Sequence, residues 1–67
     1  MADMKFQELT DVVDFYSWKQ YDERDRFSLS EDQRKQLTEV RDKLADYSKA
    51  GDAVAELWLE CANELLN

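Results

Sequence analysis

Glu56, Glu60 and Glu64 recur every fourth residue, and no lysine or arginine lies between Asp52 and Asn67 to answer them. On a helix that spacing stacks three carboxylates in one column, rising about 6 Å per step. Such a column is most simply a solvated face that aids solubility; the alternative is a row that meets a basic groove on another protein or imitates the spacing of nucleic-acid phosphates, and paired carboxylates also raise the question of acid–base chemistry. Catalysis fits the sequence worst. There is no histidine and only one cysteine, Cys61, and a 67-residue chain has little material with which to wall off a pocket and raise a carboxylate pKa. Tyr16, Tyr21 and Tyr47 are acids in principle, but no glycine-rich phosphate loop and no nucleophile with a basic partner accompanies them. A single thiol without histidine leaves too few ligands for zinc. The acidic run Asp22 to Arg26 lacks the glycine that a calcium loop needs at its turn. The expectation is a non-enzymatic protein that takes no cofactor and no metal.

Recognition is the better use of these residues. Phe15 and Trp18 lie off the apolar stripe that the rest of the first helix forms, and they project near Asp11 and Asp14. Large aromatic side chains bordered by acids have the composition of an interface anchor, and Tyr21 follows as a third ring. Ordinary packing is the competing account, with these rings covering the segment around Tyr21 and Phe27.

The elements that carry these residues are helical. One glycine, no proline and many Glu, Gln, Lys, Arg, Leu and Ala leave few breakers in the chain. Phe6, Leu9, Val12, Val13 and Tyr16 recur at three- and four-residue spacing, which predicts a first helix over about 4–19. Asp3 and Glu8 would sit at the positive end of its dipole. The β-forming run Val12 to Trp18 leaves an extended segment as the alternative. Lys19 to Leu29, a mixed-charge stretch, is expected to be a solvated connection.

Ser30 with Gln33 three residues on reads as a capping box that opens a second helix, over 31–49. Its seam of Leu37, Val40, Leu44 and Tyr47 is narrow, as for a helix facing one neighbour. Glu31 with Lys35 and Glu39 with Lys43 are favourable i,i+4 pairs. Gly51 would close this helix in a left-handed conformation and Asp52 would cap the next, over 53–66. So short a turn predicts that the second and third helices pack as an antiparallel hairpin.

On the third helix, Val54, Leu57, Trp58, Cys61, Ala62 and Leu65 form one face, which makes Cys61 a small core residue. Ala55, Leu59 and Leu66 widen that face toward half the circumference. Leu59 and Leu66 are therefore the expected contact with a second copy or a partner, unless the first helix covers them.

The formal charge of −7 is organised by element. The segment through Phe27 carries −3, the segment from Ser28 to Gly51 is neutral, and the remainder carries −4. That balance disfavours direct contact with nucleic acid or an anionic membrane. No window approaches the roughly 18 apolar residues of a membrane span, and the N-terminal residues do not read as a signal peptide. The expectation is a single all-α domain of three helices over 1–67, homodimeric and cytoplasmic, where a lone thiol stays reduced.

Three functions suit this chain: a regulator or inhibitor that docks on a larger protein through Phe15, Trp18 and Tyr21 with Asp11 and Asp14 as steering charges; an acidic mimic filling a DNA- or RNA-binding groove; and a small structural adaptor. The first is preferred. Its size and acidity suit the small proteins by which phages and plasmids disable a host protein, an analogy of format alone.

Overall fold

The computed structural model describes residues 5–67 as three helices: α1 (Phe6–Glu23), α2 (Glu31–Lys49) and α3 (Ala53–Leu66). A single 3-10 turn, Arg24–Arg26, follows α1. The all-helical expectation holds, and the extended alternative for Val12 to Trp18 does not. The expected start of the first helix at residue 4 and the role given to Asp3 lie outside the described residues.

Each junction has a local cause. The Ser30 hydroxyl accepts from the Gln33 backbone N–H at 3.2 Å while the Gln33 side chain accepts from the Ser30 N–H at 2.9 Å, which satisfies two of the donors that a helix start leaves free. At the other end of α2, Gly51 takes φ +100°, a backbone that costs an L-residue strain and glycine none. Asp52 then accepts from the N–H groups of Val54 at 3.0 Å and Ala55 at 3.2 Å, opening α3 one residue later.

The first helix is longer than its sequence suggests. It runs on through Lys19, Gln20, Tyr21, Asp22 and Glu23, a stretch with no glycine or proline to stop it. It ends where Arg24 takes φ +49° and returns its N–H to the Gln20 carbonyl. The connection to α2 is thus shortened to the 3-10 turn and the four residues after it, and it is not wholly solvated as expected, because Phe27 and Leu29 pack against the core. Tyr21 and Asp22 consequently belong to the same helix as Trp18.

The core is built from all three helices. Leu9, Val13 and Tyr16 of α1, Leu37, Val40 and Leu44 of α2, and Ala55, Ala62 and Leu65 of α3 are buried together. Phe6, Val12, Phe27, Leu29, Trp58, Leu59 and Leu66 pack around them, partly buried. The hydroxyl of Tyr16 reaches the surface and donates to the Gln36 side-chain oxygen at 2.9 Å, so burying its ring strands no polar atom. Tyr47, expected in the α2 seam, lies at its margin with its ring edge-on to Phe6, centroids 5.2 Å apart.

Two contacts tie α2 to the ends of the chain's last helix. The backbone N–H of Asp52 returns to the Tyr47 carbonyl at 3.2 Å. The Arg34 guanidinium donates to the Leu66 carbonyl at 2.9 Å, which brings a cation to the C-terminal end of a helix that carries none in its own last turn. On the α2 surface Arg41 pairs with Asp42 at 3.4 Å, an exposed contact that adds little to stability.

These features set two expectations for stability. Leu44→Ala removes a fully buried side chain at a cost of about 2–5 kcal/mol, against a total of about 3–5 kcal/mol for a core of this size. Urea titration followed by circular dichroism should find that variant marginal, with a midpoint close to zero urea and a substantial unfolded fraction in buffer. Gly51→Ala meets no atom within 4 Å, so its cost is the backbone alone, about 1–2 kcal/mol, and Gly51→Asn should cost less. An alanine variant as stable as the parent would show that the turn does not need the left-handed backbone.

Candidate functional site

The buried stripe of α1 fixes what its opposite face must present. At 100° per residue the buried side chains Leu9, Val13 and Tyr16 centre on one direction, and Trp18 points almost diametrically away from it. Asp11 and Asp22 lie within about 40° of Trp18 on one side and Asp14 about 40° away on the other. Phe15 and Tyr21 flank this line, one to each side. The face therefore has Phe15 and Tyr21 at its two sides, Trp18 in the middle and three carboxylates between them around the helix, with Asp11 and Asp14 before the rings along the axis and Asp22 after, and Asp11, Asp14 and Asp22 are all exposed.

None of the three rings is enclosed by its own chain. Phe15 is 61% exposed, Trp18 62% and Tyr21 65%, so the packing account of these residues fails in the free protein. They are nonetheless ordered against neighbours. Phe15 meets Tyr16 edge-on with centroids 5.3 Å apart, and Trp18 meets Tyr21 edge-on at 6.0 Å. The Arg24 guanidinium lies 5.8 Å from the centre of the Tyr21 ring, within cation–π range. Shallow hollows run along the face, one between Trp18 and Tyr21 beside Asp14, another between Phe15 and Trp18 with Asp11, Asp14, Lys19 and Asp22 around it.

Asp22 is a member of this face that the sequence reading missed. Its signal is its position four residues after Trp18 and seven after Phe15, which counts only if the helix continues past Lys19. The charged run hid that continuation.

The glutamate column of α3 is where its spacing places it. Glu56, Glu60 and Glu64 are all exposed on one side of the helix. The apolar arc beside it is turned from the expected direction. Ala55, Ala62 and Leu65 are buried, Trp58, Leu59 and Leu66 pack against the core, partly buried, and Val54 and Leu57 are 52% and 63% exposed. Cys61 is exposed as well, a correction to its expected place in the core. Leu59 and Leu66, expected to face a second copy or partner, already serve the core of their own chain. The apolar surface that α3 leaves outside is Val54, Leu57 and Cys61, at i, i+3 and i+7.

Among the described residues no group of three or more Cys, Asp or Glu side chains is placed to hold a metal ion. Among the same residues no helix is long and apolar enough to cross a membrane. Family models, curated proteins and solved structures yield no match to this chain, so its surfaces alone carry the functional reading.

Proposed function

We propose that this chain is a non-enzymatic regulator or inhibitor that docks on a larger protein through Phe15, Trp18 and Tyr21, with Asp11 and Asp14 steering the approach. The observation that carries the reading is the exposure of three aromatic rings on the side of α1 turned away from the core. Aromatic side chains dominate the binding energy of measured interfaces, and carboxylates around them speed association with a basic surface. The proposal places the protein in the cytoplasm and leaves open whether docking inhibits, anchors or assembles the target. Its small, acidic format, like that of phage- or plasmid-encoded antagonists, suits the inhibitory case.

A second reading has its own observation. The exposed column Glu56, Glu60 and Glu64, with no base on α3, suits a mimic that fills a nucleic-acid-binding groove. The structural adaptor would instead use the apolar strip of α3. Within the preferred reading, α2 and α3 form an antiparallel hairpin, a topology that the short turn at Gly51 and the Arg34 to Leu66 hydrogen bond support. Self-association into a homodimer would run through the outer side of α3, where Val54, Leu57 and Cys61 are exposed beside the partly buried Leu59 and Leu66.

Three measurements separate these readings. Affinity capture with the wild-type chain and with Phe15→Ala/Trp18→Ala should yield a protein held by the first and lost by the second. Both substituted positions are exposed, so the variant's urea midpoint should correspond to a stability within about 0.5 kcal/mol of the parent. Equal capture by both chains would end the aromatic reading.

Raising the ionic strength should weaken the captured complex only modestly, whereas a mimic held by the glutamate column would lose affinity steeply. Sedimentation equilibrium on Leu57→Ser should find a monomer where the parent dimerises. If the parent is itself monomeric, or if the variant stays dimeric, the self-contact on α3 is wrong. If Leu57→Ser abolishes partner capture while Phe15→Ala/Trp18→Ala does not, the adaptor reading replaces the preferred one.

A further inference from the structure

We infer that the outer face of α1 is built for a basic amphipathic helix whose arginines bracket an apolar centre. This rests on the reading above, in which that face is the docking surface. The spacing of the face gives the first argument. Asp11, Phe15, Trp18 and Asp22 stand at i, i+4, i+7 and i+11, the same alternation of four and three that the buried stripe uses to pack on its neighbours. A line of that kind on a straight helix matches the ridge of another helix laid alongside it.

Charge complementarity selects the occupant. The line has aromatic rings at its middle and carboxylates at both ends: Asp11 and Asp14 before Phe15 and Trp18, Asp22 after them. From the first pair to Asp22 is about 12–16 Å at 1.5 Å per residue. A partner helix with basic residues two to three turns apart and apolar side chains between them meets each part of this line with its complement. Lys19 flanks the line, partly buried, and Arg24 sits over Tyr21, so the cationic demand is concentrated at Asp11, Asp14 and Asp22.

Arginine fits better than lysine for a reason the chain itself displays. Arg24 already lays its guanidinium over the Tyr21 ring at 5.8 Å. An incoming guanidinium has the exposed indole of Trp18 as the equivalent ring, with Asp14 and Asp22 one turn away on either side. A planar guanidinium stacks on the indole and still offers N–H donors to a carboxylate, which a lysine ammonium does less well.

The test is a nuclear magnetic resonance titration of the full, nitrogen-15-labelled chain with three designed helical peptides of α1's length, 18 residues. Each carries the same leucine and phenylalanine centre and differs only in the residues bracketing it: arginine, lysine or glutamate. The arginine peptide should move the Trp18 indole N–H and the amides from Asp11 to Asp22. It should bind about tenfold or more tighter than the glutamate peptide and measurably tighter than the lysine one. Trp18→Ala should weaken it about tenfold, and Asp11→Asn/Asp14→Asn/Asp22→Asn should reduce the preference for arginine over glutamate severalfold.

Equal binding of the arginine and glutamate peptides, shifts confined to Val54 and Leu57, or no binding by any peptide would each overturn this inference. The capture experiment keeps the two levels distinct. A target lost on Phe15→Ala/Trp18→Ala together with a failed arginine peptide would leave the docking face standing and discard its basic helical occupant. A target retained by that variant would remove the docking face itself.

Discussion

Leu37, Val40 and Leu44 of α2 are fully buried in a core to which all three helices contribute. Because α2 contributes so narrow a seam, α1 and α3 must bring their own apolar stripes to the same line and also close against each other. A small bundle closed this way has no second layer. Every large side chain that points away from that line is left in water, and this is the constraint from which the rest of the surface follows. Trp18 is outside because Leu9, Val13 and Tyr16 are inside on the same helix. Leu57 is outside because Ala55, Ala62 and Leu65 are inside on theirs.

The parts that were legible in the sequence are those governed by contacts a few residues apart. Ser30 with Gln33, Gly51 and Asp52 each act on backbone groups within three residues, so their roles can be read without knowing where any other helix lies. The stripe of α1 was legible as well, because Phe6, Leu9, Val13 and Tyr16 recur at three- and four-residue spacing and Phe15, Trp18 and Tyr21 fall outside that arc.

Two features needed the third dimension. The charged residues after Trp18 are compatible with helix or loop, and the positive-φ backbone of Arg24 that ends α1 is adopted by a residue type without a strong signal for it. On α3 the apolar arc spans about half the circumference, so periodicity alone permits several buried directions. The glutamate column held part of the missing information. The direction opposite Glu56, Glu60 and Glu64 falls between Trp58 and Ala62, and a core centred there takes in Ala55 and Leu65 and releases Leu57 and Cys61, while Val54 and Leu66 lie equally far from it on either side and are separated only by the packing of the other helices. Two alanines seven residues apart, Ala55 and Ala62, mark the same line, since small side chains allow close approach of the helices.

The carboxylates around Trp18 have a further physical consequence. An exposed patch of three rings on so small a protein invites self-association, because two copies could bury the same rings against each other. Asp11, Asp14 and Asp22 oppose that pairing, since a face-to-face copy would bring like charges together as water is expelled. The same groups favour a partner of opposite sign. A strip with an acidic border on one side only, as Val54, Leu57 and Cys61 have beside Glu64, lacks this protection on its other edge. The two apolar surfaces are thus not equivalent: carboxylates lie among and beyond the rings on α1, whereas the strip on α3 has a carboxylate along one edge only.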